Sequence, residues 1–448
     1  MKTMITQSFN SIRWTSVLLF LSITLFSSCL SDDEGGVTLA DLSLQVTGTE
    51  HLEGLEVRLT NTGTATTFTS TTDADGVATF QVVPGIYEAV VSVVHYTDGQ
   101  QLIYNGVTSN IVLNSRQTNV AALEVKESHS SQVIIKELYC GGCLRDNGLT
   151  FQYDKCIILY NNSAGQAELS NLCFGIVSPY NGNGTNYNYD IDGVLTYEKE
   201  GFLPAINGVW WFRQPLTIAP YSQVVVNICG AVDNTQTVSM SVNYAHSDYY
   251  AMYDPESGYY NTSYYPTPSS VIPTDHYLKA KEFGLGNGWT FSVTSPAVFL
   301  FQTHGIAPED YSADVNNLWY DGGRTGQVYA CLKVPNDWVV DGLEVYQKTK
   351  VAESKKRMPS IIDAGYVTMT NYLGHALYRN VDEAATKALP ENEGKLVYGY
   401  ALGVDDSTDP SGIDAEASMR NGAHIIFKDT NNSTVDFHER QQCSLRDE

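Results

Sequence analysis

From Val37 to about Lys126 apolar and polar residues alternate in short runs separated by turn residues. Leu55-Glu56-Val57-Arg58-Leu59 alternates strictly, Asp73-Ala74-Asp75-Gly76 marks a turn, and Ala78-Thr79-Phe80-Gln81-Val82 leads into Pro84-Gly85. Tyr87 to Val93 follows with the same period of two, which predicts strands with one buried face. Lys126-Glu127-Ser128-His129-Ser130-Ser131 carries no apolar residue and reads as a polar linker. A second strand-rich region follows it, opening with the nearly continuous apolar run Val133–Tyr139. The pattern predicts an all-β chain in which a small sandwich over 37–126 precedes a larger one over 132–448.

Composition supports that reading and removes several functions. The 448 residues include 36 Gly and 29 Tyr with only 17% charged residues, which suits a loop-rich β protein. Lys and Arg number 26 against 50 Asp and Glu, a net charge of −24. An acidic surface of that kind repels phosphate backbones, so no nucleic-acid partner is expected.

The first 28 residues join a basic start, Lys2 and Arg13, to an apolar run from Val17 to Phe26 that is too short to span a bilayer. They read as a signal peptide. Leu25-Phe26-Ser27-Ser28-Cys29 resembles a bacterial lipobox, and the resemblance implies that Cys29 becomes a lipidated N-terminus. Residues 29–36 form an acidic tether whose Ser31-Asp32-Asp33-Glu34 resembles the surface-export signal of Bacteroidota lipoproteins. The expected location is therefore the outer membrane, lipid-anchored and facing the exterior.

Thr72-Asp73-Ala74-Asp75-Gly76 followed by Val83-Pro84-Gly85-Ile86-Tyr87 is similar to the transthyretin-like or carboxypeptidase-regulatory-like module. Val133–Tyr139, Asp154–Ser163, Leu169–Leu172, Leu216–Ile228, Ser295–Phe301, Val340–Tyr346 and the closing Lys428–Phe437 resemble, in order, an expanded immunoglobulin-like lamin-tail domain. An ordinary domain of that type has about 100 residues, so insertions are expected near 178–208, 231–288 and 302–327. The combination resembles a surface lipoprotein family of Bacteroidota, whose members accompany TonB-dependent transporters.

The insertions carry the unusual chemistry. Residues 244–265 are crowded with tyrosine, and Tyr249, Tyr250, Tyr253, Tyr259, Tyr260, Tyr264 and Tyr265 form the candidate ligand-binding group, since tyrosine offers a stacking face and a hydroxyl at low entropy cost. Cys140-Gly141-Gly142-Cys143 suggests a structural disulfide between Cys140 and Cys143, as an exported protein favours. A metal or redox role for that pair lacks a second ligand pair or a neighbouring βαβ pattern. His246 and His276 share an insertion with Asp248, Asp254 and Asp275, but their spacing does not define a metal site. Asp429-Thr430-Asn431-Asn432-Ser433-Thr434 is rich in acceptors, for which strand-closing turns are the simpler explanation than calcium. No hydrolase, nucleotide or zinc-protease motif occurs, so no catalytic residue, metal or cofactor is assigned.

The expectation is a non-enzymatic surface lipoprotein that captures a glycan, peptide or iron source, or accompanies a transporter, in TonB-dependent uptake. The rivals are an adhesin or structural surface protein and, behind it, a hydrolase assembled from distant loops.

Overall fold

The computed structural model describes residues 38–447, apart from 50, 51, 65, 116, 285 and 405. The signal peptide, the tether and Cys29 lie outside the described residues.

The small sandwich has eight strands: β1 (Ala40–Thr47), β2 (Glu56–Asn61), β3 (Thr67–Thr71), β4 (Val77–Val82), β5 (Gly85–Thr97), β6 (Gln100–Leu113), β7 (Asn119–Glu124) and β8 (Lys126–Ser131). One sheet has the order β4-β1-β7 and the other β3-β2-β5-β6-β8. Leu42, Leu44 and Val46 from the first sheet meet Val57, Leu59, Ala89 and Val91 from the second in one core. The alternation seen in the sequence is the alternation of these inward faces. At the Asp73–Gly76 turn, the Asp73 carboxylate accepts the backbone N–H groups of Asp75 and Val77, which ties it into the turn itself.

The expected linker at 126–131 is instead strand β8, paired antiparallel with β6 from Gln100↔Ser131 to Asn105↔Lys126. β6 extends past the sandwich and its backbone groups need partners there. A polar segment can supply them at a sheet edge, where no apolar face is required. The β5–β6 hairpin tip then reaches the second sandwich, where Ser170 N–H donates to Asp98 at 3.2 Å.

The large sandwich is built of two six-stranded sheets. One has the order Tyr250–Ala251, Gln223–Asn227, Cys156–Asn161, Val133–Tyr139, Ala376–Arg379, Phe437–Arg440. The other has the order Lys279–Glu282, Gly208–Trp211, Leu172–Ile176, Ala297–Gln302, Val339–Gln347, Val367–Met369. Ile135, Ile157, Leu159, Trp210, Val298, Leu300 and Val345 fill the space between them. Ala297–Gln302 is an inner strand. Gln223–Asn227 is covered by Tyr250–Ala251 from the tyrosine-rich segment.

A three-stranded sheet stands beside this sandwich, formed by Phe202–Ile206, Ala330–Pro335 and Leu318–Tyr320. It packs Phe202, Leu203, Leu332 and Val334 into a second core with Phe299 and Phe301. The expected closing motif is not a strand until Phe437. Asn432 caps a short helix, Ser433–Asp436, by accepting from Thr434 N–H. A further excursion spans 380–436, whose described residues form no strand and which carries the helices Glu383–Ala388 and Ala415–Arg420.

Candidate functional site

Two of the inserted segments meet at Asp321. Its carboxylate is buried and accepts from Ser178 Oγ at 2.6 Å and from Asn188 Nδ2 at 2.8 Å, while Arg324 completes an ion pair with it. Asn188 replies through Oδ1, which accepts Gly322 N–H at 2.7 Å. Gly322 adopts φ +62°, and a Cβ there would lie 2.6 Å from Cβ of Tyr187. Glycine is required at that position both for the left-handed backbone and for the close approach.

This clamp holds the Arg324 guanidinium between two rings, 4.8 Å from the centre of Tyr187 and 4.0 Å from that of Tyr329. A cation between two ring faces is favoured by their quadrupoles and keeps a fixed orientation. Beside it opens a groove of about 820 Å³, lined by Leu318, Trp319, Tyr320, Arg324, Thr325, Gln327 and Lys333. Trp319 is steadied edge-on by Tyr197 and Phe202 at 5.9 and 5.8 Å, and Tyr320 stays 41% exposed. Ring faces together with guanidinium, amide and hydroxyl groups are suited to a ligand with apolar faces and a polar edge.

Segment 189–193 lines a second cleft, of about 700 Å³. There Tyr346 and Tyr366 stack at 4.2 Å, opposite Tyr189 and Lys355. Beneath it, burial raises the pKa of Glu344, but the charges of Arg357 and Lys356 outweigh burial and hold the carboxylate below its ordinary range. A third cleft, of about 380 Å³, lies where the sandwiches join and is lined by Ser131, Asp337, Asp341 and Asp429. Asp341 is committed there to Arg379 at 2.5 Å and to Ile135 N–H at 2.6 Å.

The predicted tyrosines are not gathered into one recognition face. Tyr259 and Tyr265 are core residues, with Tyr259 stacked on Trp210 at 5.7 Å and both hydroxyls donating to backbone carbonyls, of Asn207 and Trp289. Tyr250, Tyr253 and Tyr264 are half-buried against the same core. Tyr249 stacks on His246 at 4.7 Å, and Tyr260 is 75% exposed. Large rings that can satisfy their hydroxyls bury more apolar area by closing the sandwich than by facing water. His276 stacks on Tyr250 at 4.2 Å, and no group of three or more His, Cys, Asp or Glu among the described residues could hold a metal ion.

Cys140 and Cys143 do not bridge. All seven described cysteines are buried free thiols; Cys140 Sγ lies 3.6 Å from the sulfur of Met369, and Cys143 packs with Phe151 and Val238. Burial pushes the Cys140 thiol up to about 12. In Asp429–Thr434, Thr430 N–H and Oγ1 both donate to Asp436, at 2.9 and 2.7 Å, Asn432 accepts Thr434 N–H, and Ser433 N–H donates to Asp363 at 2.8 Å. Asp429 pairs with Arg379 at 3.1 Å. Trp319, Tyr320, Arg324 and Gln327 were not singled out by the sequence. The available signal was Leu318-Trp319-Tyr320-Asp321-Gly322-Gly323-Arg324, an aromatic pair running into a tight turn inside an insertion.

A family model described as a protein of unknown function, DUF4876, matches residues 219–399. That stretch contains the whole lining of the groove but not Tyr187, whose ring lies beside Arg324. The crystal structure of a DUF4876 family protein from Bacteroides thetaiotaomicron VPI-5482 is similar at 19% identity and a TM-score of 0.52, covering 89% of this chain and 94% of that one. Likeness at that identity speaks to the fold alone. The Bacillus anthracis TIE protein aligns over 42% of this chain and 27% of its own at 15% identity, but its TM-score of 0.17 supports no comparison. No curated protein matches. The chain is thus similar to the DUF4876 family in residues 219–399 and, across most of its length, to a DUF4876 protein in its all-β fold.

Proposed function

We propose that this protein is a non-enzymatic surface lipoprotein, anchored in the outer membrane through Cys29, that captures a ligand for TonB-dependent uptake. The observation that carries this reading is the groove of about 820 Å³ held open by the Asp321 clamp. Its exposed ring faces and its guanidinium, amide and hydroxyl groups suit a glycan first, stacked on Tyr320 and Trp319, and a peptide or an iron source after that. The small sandwich acts as a transthyretin-like spacer, and the larger one as a lamin-tail-like platform presenting the groove.

Isothermal titration of the mature protein against glycan and peptide panels tests this. Stacking on an aromatic platform contributes about 0.5–1.5 kcal/mol beyond area burial. Tyr320→Ala should therefore weaken binding about tenfold, once the lost contact area is included, at an unchanged urea midpoint. Binding that ignores Tyr320→Ala and Trp319→Ala, or no binding to either panel, overturns the groove as the capture site. Co-purification of a barrel transporter from native membranes tests the uptake partner separately.

A further inference from the structure

The apolar surface of the small sandwich is collected at one end. Among its residues with described side chains, the large apolar ones that remain exposed are Leu39, Val83, Ile86, Val112 and Val120, between 40% and 74% accessible. Register places them at one end, with Val120 on the outer face of the first sheet and Ile86 and Val112 on the outer face of the second. Ala40 pairs with Val82, which brings Leu39 to the level of Val83. Ile86 lies directly opposite Val112 on the outer face of the β5–β6 pair. Val120 opposes Ser43 at the start of β7, which runs parallel to β1 from the same end.

The opposite end is occupied. There the β5–β6 hairpin runs on to its tip at Asp98-Gly99, which meets Leu169, Ser170 and Gln302 of the large sandwich. The apolar end therefore points away from the large sandwich, and the chain enters the described structure at that end, through Thr38 and Leu39.

Charge is sparse at this end. In a chain of net charge −24, the segments 62–66, 83–86 and 112–120 contain no Asp or Glu, and their one charged residue is Arg116; the neighbouring acid, Asp41, accepts from Gln81 Nε2 at 3.1 Å. Five exposed apolar side chains around one end, rimmed by threonine, asparagine and glutamine, make that end a poor one for water and a suitable one for the headgroup and acyl boundary of a bilayer.

We infer that this end of the small sandwich rests on the lipid surface, with Ile86 and Val112 entering the interface. The inference builds on the proposed anchor at Cys29. Thr38 is nine positions beyond Cys29, and a fully extended chain over those nine steps reaches about 30 Å. Anchoring thus confines the apolar end to the immediate neighbourhood of the membrane. Docking then makes the sandwich a fixed post that holds the groove-bearing domain at a set height, rather than a bead on a loose tether.

The test uses the full lipidated chain in vesicles of phosphatidylethanolamine and phosphatidylglycerol. A polarity-sensitive dye is placed on Val112→Cys and, as a control, on Ile191→Cys, which is 99% exposed in the large domain. Because the seven described thiols are buried and acylation blocks the Cys29 thiol in the lipidated chain, the dye goes to the introduced cysteine. The expected result is a blue shift at 112 and about threefold or greater protection from iodide, none at 191, and loss of the protection when Ile86→Asp is added. Equal quenching at both positions overturns the docking. Protection that appears only in native membranes, and not in pure lipid, overturns it in favour of a protein partner. Mass spectrometry of the acylated N-terminus in the same sample reads the anchor independently, so a failed anchor and a failed docking surface give different results.

Discussion

Asn188 and Asp321 bind each other's segments reciprocally: Asn188 Nδ2 donates to the Asp321 carboxylate at 2.8 Å, and its Oδ1 accepts from Gly322 N–H at 2.7 Å. These residues stand 133 positions apart, yet this pair ties the 178–208 insertion to the segment that lines the groove. Asp321→Ala leaves Ser178, Asn188 and Arg324 without their shared acceptor. A loss of about 2–4 kcal/mol is expected, read as a lower urea midpoint together with loss of ligand binding. Gly322→Ala should cost roughly 1–2 kcal/mol for the left-handed backbone alone, and more for the contact with Tyr187.

The tyrosine-rich segment divides by burial. Tyr265→Ala removes a ring packed on Trp210, with centroids 5.6 Å apart, and should destabilise the protein by about 3–5 kcal/mol. Tyr260→Ala should change stability by no more than about 0.5 kcal/mol. Equal, small effects at both positions in urea unfolding would contradict the core assignment of Tyr265.

His438 makes the fold sensitive to acid. Its Nδ1–H donates to Asn380 Oδ1 at 2.7 Å and its Nε2 accepts from the Tyr400 hydroxyl at 2.6 Å, with the Asn380 amide oriented by a bond from Nδ2 to Val435 O. Burial, aided by the nearby Arg440 charge, pulls its pKa down from 6.5 to about 3. The folded pKa is depressed, so the unfolded chain binds a proton in this window that the folded chain refuses. The stability from the neutral ring is present above pH 6.5 and lost as pH falls towards 3, with a limiting slope of about 1.4 kcal/mol per pH unit. His438→Gln should flatten that part of the stability profile in urea titrations between pH 7 and pH 4.

Thiol labelling checks the cysteines. With seven described thiols buried, a maleimide should label none of them in the native protein and all seven after unfolding without reductant. A native Cys140–Cys143 disulfide would lower the unfolded count by two. An eighth reactive thiol would mean that Cys29 is not acylated, since the chain contains 8 cysteines.

Much of the architecture is written locally. Alternation in Leu55–Leu59 and Ala78–Val82, and the continuous apolar run Val133–Tyr139, place strands because a pleated backbone sends successive side chains to opposite faces. The all-β class and the turn at Asp73–Gly76 follow from the same short-range chemistry. Other features depend on partners far along the chain. Lys136 and Glu137 sit inside that apolar run yet are buried, because Glu416 meets Lys136 at 2.6 Å and Ser444 N–H meets Glu137 at 2.9 Å. Polar Lys126–Ser131 is a strand because β6 offers it an open edge. Tyrosine content marks 244–265 as unusual, but only the approach of Trp210 and Trp289 makes Tyr265 a core residue and leaves Tyr260 in water. The groove belongs to the same class. Periodicity tells a residue which way to face, whereas the groove over 318–333 takes its shape only once the chain has closed the loops that bring Asn188 to Asp321 and the Tyr187 ring to Arg324.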